Sequence, residues 1–136
     1  MEYRLATPQD AEIICRFVDD RQTLYREKDV LSFLQREETT AFLAVEEEVA
    51  GFAYGYALYR PDGRKDFYLH AIDVADHLQG SGYGTALMRF IDDWRKAGGF
   101  RKLFLVTNRC NKSACRCYEK AGGITASDDD VVYVFE

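Results

Sequence analysis

The chain lacks several features that would settle its chemistry at once. It has only two histidines, His70 and His77, and neither stands near the four cysteines Cys15, Cys110, Cys115 and Cys117. No Cys-x-x-Cys pair occurs, so the ligand spacing of a zinc site is missing and no metal is expected. Basic residues are outnumbered, 18 Lys and Arg against 23 Asp and Glu, giving a net charge of −5. Nucleic acid is therefore excluded as an expected partner, because neutralising phosphates requires clustered Lys and Arg. No apolar run approaches the ~18 residues needed to cross a bilayer, so no membrane is expected. The opening MEYRLATPQD has no apolar stretch resembling a secretory signal. Unpaired thiols and this opening point to a cytoplasmic protein.

Hydrophobic residues make up 47% of the 136 residues, with nine Tyr and nine Phe, enough apolar area to close a core. No repeat, linker or low-complexity stretch divides the chain, so a single domain over residues 1–136 is expected. A short strand spans residues 1–6. Thr7-Pro8-Gln9-Asp10 then reads as a helix start, with a hydroxyl cap, proline in the first turn and a carboxylate three residues on. Ile14, Phe17 and Val18 give that helix its apolar face, and a second helix is expected over 24–34. Strands follow over 41–45, 49–59 and 66–74, the middle one long and aromatic. Residues 85–97 form an amphipathic helix stopped by Gly98-Gly99, with Leu87, Phe90, Ile91 and Trp94 on one face. Then come a buried-type strand over 103–106, a helix over 111–121, a short strand near Ile124 and a closing strand over 131–135. Strands and helices alternating in this way imply an α/β fold with a mixed sheet.

Chemistry concentrates in Gln79-Gly80-Ser81-Gly82-Tyr83-Gly84-Thr85, between a strand and an amphipathic helix. Backbone amides at a helix start have no partner within the helix, and the helix dipole is positive there, so a phosphate can be held. The glycines remove Cβ atoms that would keep a phosphate away, and Thr85 can add a hydroxyl donor. A turn that merely lets strand and helix pack would look the same. A dinucleotide-binding fingerprint is excluded because position 85 is Thr, and a P-loop because Gly-Lys-Ser/Thr is absent.

The spacing Gln-x-x-Gly-x-Gly resembles the pyrophosphate loop of the GNAT superfamily of N-acetyltransferases. His70-Ala71-Ile72-Asp73-Val74 looks like that family's central strand, and the run from Asn111 to Gly122 resembles its Asn-x-x-Ala-x-x-x-Tyr-x-x-x-Gly helix. The resemblance implies a GNAT (acyl-CoA N-acyltransferase) fold, a mixed central sheet flanked by about four helices, with acetyl-CoA as co-substrate. It implies that the main chain of Ile72 and Val74 pairs with the pantetheine arm. Gln79, Gly80, Ser81, Gly82, Tyr83, Gly84, Thr85 and Asn111 would contact the cofactor. Tyr118 would also do so, and would protonate the departing thiolate. A phenol suits that task, since its reference pKa of ~10 keeps it protonated at neutral pH. Tyr118 also fits the simpler role of a core ring with its hydroxyl at the rim.

Asp73, at the end of the central strand, is a candidate general base, with His70 or a water chain as alternatives. The three clustered cysteines read as small helix-packing residues. Within the superfamily the chain resembles the aminoglycoside 3-N-acetyltransferase branch, in Thr107-Asn108-Arg109, in Gly122-Gly123 and in Asp128-Asp129-Asp130 ahead of the last strand. Ala71 departs from that branch, whose members often carry an acidic residue there. The resemblance implies a small cationic amine acceptor, such as an aminoglycoside, held by Asp73 and an acidic hairpin near residue 129. A protein or peptide acceptor, or a non-catalytic acetyl-CoA-binding module, would also use these motifs. Homodimers through outer strands are common in the family, so a homodimer is expected.

Overall fold

The computed structural model describes residues 1–19 and 24–136. Five strands form one sheet in the order β1-β2-β3-β4-β5: β1 (Glu2–Leu5), β2 (Thr39–Val45), β3 (Val49–Tyr59), β4 (Lys65–Val74) and β5 (Leu103–Phe104). The first four pair antiparallel and β5 joins β4 in parallel, so the sheet is mixed as expected. Helices α1 (Ala11–Asp19), α2 (Glu27–Leu34), α3 (Tyr83–Ala97) and α4 (Lys112–Lys120) complete the architecture.

Period-two alternation sends neighbouring strand residues to opposite faces, and each face has its own helices. On one, Leu43 and Phe52 meet Ile14, Phe17 and Val18 of α1 and Val30 of α2. On the other, Phe42, Phe67 and Leu69 meet Leu87, Met88 and Ile91 of α3. Trp94 lies 5.0 Å from Phe42 and 4.9 Å from Phe67, ring centre to ring centre, in edge-to-face contacts. The capping residues at Thr7 behave as expected: Asp10 accepts from the Thr7 amide at 2.7 Å and also takes both arms of Arg4 at 2.8 Å.

Two features of β4 position the site. Opposite Tyr54 and Gly55 of β3 stand Ala71 and Leu69, which leaves His70 as the extra residue of a β-bulge. Beyond Phe67↔Leu103 and Tyr68↔Phe104 no further pairs join β4 to β5. Past Tyr68, therefore, no strand lies beside β4 on that side among the described residues. Asp66 holds the two strands together below this opening, accepting from Arg101 at 2.9 and 3.0 Å.

Some sequence expectations fail. The second helix begins at Glu27 instead of residue 24, with Arg26 before it offering no side-chain cap. The helix after the glycine loop begins two residues early, at Tyr83. The strand over 103–106 keeps only Leu103 and Phe104, and Val106 is exposed. Neither the strand near Ile124 nor the one over 131–135 forms, so no hairpin surrounds Asp128, Asp129 and Asp130. Apolar pattern alone cannot make a strand, because a strand needs a partner edge.

Candidate active site

Between the edge of β4, the start of α3 and the side of α4 lies a groove of about 760 Å³. Ile72, Asp73, Val74, Gln79, Gly80, Gly82, Gly84, Thr85, Asn111 and Tyr118 line it, bringing together residues from the three segments that the sequence had singled out. Ser81 and Tyr83 are not among the lining residues.

The glycines earn their place by geometry. Gly80 and Gly82 sit at φ +81° and +88°, a region that side chains with a Cβ rarely adopt. A Cβ on either would meet no atom within 4 Å, so the space in front of the loop is open. Gly82 is the N-cap of α3 and supplies no side-chain cap, leaving the first amides of a 15-residue helix without an intrahelical partner. Gly84 does different work. A Cβ there would lie 3.2 Å from Cys117 Sγ and 3.6 Å from Val74, so its absence lets α3, α4 and β4 meet.

Other side chains are partly committed. Gln79 Nε2 donates to the Val74 carbonyl at 3.1 Å, tying the loop to the end of β4. The Thr85 hydroxyl donates to Cys117 Sγ at 3.7 Å rather than standing free for a phosphate. Asn111 caps α4, its Oδ1 accepting from the Ala114 amide at 3.3 Å, which leaves its amide nitrogen able to donate. Tyr118 is half-buried, and burial, followed by the nearby Cys117 and Cys115, raises its phenol above the ordinary value. It therefore remains a proton donor throughout the neutral range.

Three basic groove residues were missed from the sequence: Arg89 on α3, and Arg116 and Lys120 on α4. They give an acidic chain a locally basic groove. Their periodicity was available, since Thr85 and Arg89, like Arg116 and Lys120, are four apart on one helix face. Arg89 also donates to the Lys120 carbonyl at 2.9 Å, locking the two helices together.

On the opposite face of the sheet, a second cavity of about 260 Å³ opens between α1, α2 and β3. Tyr25, Phe33, Phe52, Tyr54 and Tyr56 line it, with Arg26 and Asp29 as its charged residues. Burial, then neighbouring Tyr25 and Tyr68, pushes the Tyr54 phenol up to about 12. His70 stands beside this cavity, its ring 5.4–5.6 Å from those of Tyr54, Tyr56 and Tyr68, and Nδ1 is 3.3 Å from the Tyr56 hydroxyl. One strand pair links the two linings: Phe52 of this cavity is the cross-strand partner of Asp73 of the groove.

A profile described as the Acetyltransferase (GNAT) family matches residues 7–123. The chain is a GNAT acetyltransferase. As such it is an acetyl-CoA-dependent N-acetyltransferase. Among solved structures, this GNAT fold superposes on an aminoglycoside acetyltransferase from an uncultured soil metagenomic sample, in complex with sisomicin, with a TM-score of 0.84 at 15% identity over 99% of this chain and 94% of that one. A ribosomal-protein-alanine N-acetyltransferase from Brucella melitensis matches with a TM-score of 0.81 at 21% identity, covering 100% and 99%. The tetramutant of the BH1408 protein from Bacillus halodurans matches with a TM-score of 0.78 at 20% identity, covering 98% and 100%. At these identities the likeness is one of fold. Comparison with curated proteins gives no match. Among the described residues of this GNAT protein no helix is long and apolar enough to cross a membrane, and no group of His, Cys, Asp or Glu could hold a metal.

Proposed function

We propose that residues 1–136 act as one catalytic unit that passes acetyl from acetyl-CoA directly to the primary amine of a small molecule. One observation supports this above all: a groove walled by the β4 edge and an uncapped helix start holds Asp73, whose cross-strand partner Phe52 lines a second, aromatic cavity. The amides of residues 80–85 suit the pyrophosphate, and Arg89, Arg116 and Lys120 add charge of the right sign. The main chain of Ile72 and Val74, on the groove side of β4, suits the amide-bearing pantetheine arm. When bound, acetyl-CoA supplies a thioester carbonyl whose carbon takes the amine nitrogen as its C–S bond breaks.

Tyr118 gives its phenolic proton to the sulfur that leaves. Asp73, in the groove, takes the proton that the amine nitrogen sheds. His70 is the second reading for that role, because it stands beside the aromatic cavity with Tyr56 at hydrogen-bond distance. The pH profiles of Asp73→Asn and His70→Gln separate the two: the true base, once replaced, loses the acid limb of kcat/KM.

The acceptor class follows from the second cavity. Its one acidic residue, Asp29, is balanced by Arg26, so its lining offers no field to gather a polycation. A compact amine on an aromatic or apolar body fits five aromatic walls and a volume near the lower end of small-ligand pockets. The aminoglycoside reading draws its support from the sequence resemblance and from the soil acetyltransferase. Cys110, Cys115 and Cys117 stand as thiols outside any disulfide, which suits a reducing, cytoplasmic setting. Thiol release from acetyl-CoA should be measured against arylalkylamines, aliphatic amines, aminoglycosides and N-terminal peptides. We expect arylalkylamines to lead, with a KM that added salt leaves unchanged. An aminoglycoside preference with a KM rising steeply between 0.01 and 0.15 M salt, where the screening length falls from ~30 to ~8 Å, would restore the polycation. A peptide preference would restore the protein acceptor.

A further inference from the structure

The turn that leads into α4 gathers two thiols. Asn111 is the N-cap, its Oδ1 accepting from the Ala114 amide at 3.3 Å, and the Cys115 amide donates to the Asn111 carbonyl at 3.1 Å. Counted from this cap, Cys110 is the residue before it and Cys115 the fourth residue of the helix. Those are the two positions whose side chains pack across the first turn of a capped helix as a hydrophobic staple. Here both are cysteine. A helical side chain leans back toward the helix start, and Cys115 does so, its Sγ 3.8 Å from the Asn108 carbonyl oxygen. The Cys110 amide donates to the Asn108 side chain at 2.8 Å, so both residues are drawn to the same turn. Cys110 is exposed, Cys115 is half-buried, and both are free thiols. The remaining thiols face elsewhere. Cys117, two residues past Cys115 and so on the opposite side of the helix, turns its Sγ to Thr85 and Gly84 of α3. Cys15 packs with the α1 core across the sheet.

We infer that Cys110 and Cys115 form a redox-sensitive clip, which a low-molecular-weight disulfide such as oxidised glutathione closes into a bond that fastens the start of α4. Exposed Cys110 sheds its proton and its thiolate attacks the small disulfide. That S–S bond breaks, one small thiolate leaves, and Cys110 carries the other half as a mixed disulfide. The Cys115 thiolate then attacks the Cys110 sulfur and expels the second small thiolate. Two protein thiols are oxidised, one small disulfide is reduced to two thiols, and the protons shed by the cysteines end on them. The bond ties the loop after β5 to the first turn of α4, and that helix carries one wall of the groove through Arg116, Tyr118 and Lys120. No residue of α4 is buried, which places it at the low-stability end of the fold. A cross-link at its start opposes the local opening of that wall. The clip involves no acceptor contact, so it is independent of which amine is acetylated.

The test uses the full chain, incubated with an excess of oxidised glutathione, alkylated and digested with trypsin. Cleavage after Arg109, Lys112, Arg116 and Lys120 places Cys110, Cys115 and Cys117 on separate peptides. The expected product joins residues 110–112 to residues 113–116, two hydrogens lighter than the free peptides together, and a reductant separates them. Cys117→Ser should keep this link, whereas Cys115→Ser should stop at a glutathione adduct on Cys110. Amide exchange over residues 112–120 should slow by at least about tenfold in the oxidised wild type and stay unchanged in Cys115→Ser. A link from either residue to Cys117 overturns the inference. So does a lasting glutathione adduct on wild-type Cys110, and so do thiols left unmodified by the oxidant. Unchanged exchange in a protein whose bond has formed overturns the fastening of α4. Should Cys115→Ser fail to fold, the peptide masses and exchange of the wild type decide alone.

Discussion

Replacing Tyr118 by Phe removes one oxygen and leaves the ring. That ring packs beside the cluster of Phe42, Phe67, Leu69, Leu87, Met88 and Ile91, so its burial is kept. The structure leaves no buried polar side-chain atom unsatisfied among the described residues, and no protein hydrogen bond to the Tyr118 hydroxyl is present among them. Stability should therefore change by no more than about 0.5 kcal/mol. The melting temperature should shift by less than about 4 °C. Turnover should respond far more. General acids contribute about 10²–10⁴-fold, and a thiolate leaves easily, so the low end applies, about 10² or ~2.7 kcal/mol. KM for acetyl-CoA should stay within about twofold, because the lost interaction is made as the thiolate forms. The pH dependence supplies a second readout. Burial first, and the adjacent Cys117 and Cys115 after it, lift the phenol above 10.0. Wild-type kcat should hold through neutral pH and fall only above pH ~10 as the donor is lost; the Phe variant should lack that limb. Steady-state thiol release across the pH range measures both. A Phe variant within twofold of wild type, with the alkaline limb intact, would mean that water protonates the thiolate and that Tyr118 only packs.

Gly82→Val should leave the fold in place, since its Cβ meets nothing within 4 Å and only backbone strain of about 1–2 kcal/mol is added. Its affinity for acetyl-CoA in calorimetry should fall at least about tenfold, whereas unchanged affinity would remove the cradle role. Gly55→Ala should destabilise by more than about 3 kcal/mol in urea, because its Cβ would sit 2.2 Å from the Tyr68 carbonyl, which cannot yield without opening the β3–β4 ladder. Asp10→Asn should cost about 2 kcal/mol at pH 7, measured by denaturant midpoint. The Arg4 hydrogen bonds, ahead of the other causes, hold the Asp10 carboxyl below 3.8, so this stability is present above pH ~4 and lost as pH falls through the lower folded value. The gap between wild type and Asp10→Asn should accordingly close below pH ~4.

The parts of this architecture that were legible in the sequence are those carried by local rules. The amphipathic face of Leu87 and Ile91, the capping residues at Thr7 and the glycine spacing of residues 80–84 each announce themselves within one turn or one loop. The aromatic cavity was not legible. Phe33, Tyr54 and Tyr56 belong to segments far apart in the chain, and only the packing of α2 on β3 makes them one wall. The bulge at His70 escaped for the same reason, because register is a property of two strands and not of one. Thr85 was assigned to the cofactor on its position, and no local rule could show that its hydroxyl also hydrogen-bonds Cys117 Sγ, thirty-two residues away. The arginines of the groove were overlooked because a negative total charge says nothing about where the positive groups gather.

The uncapped start of α3 also bears on how such proteins diverge. A backbone amide is the same group whichever residue carries it, so a phosphate held by amides asks almost nothing of side chains beyond the absence of a few Cβ atoms. Selection on that contact can be satisfied by a handful of glycines while the remaining positions drift. Two chains can then differ at roughly four positions in five and still superpose almost end to end, as this one does on the Brucella acetyltransferase at 21% identity. In such a fold the course of the main chain can persist while most side chains change around it.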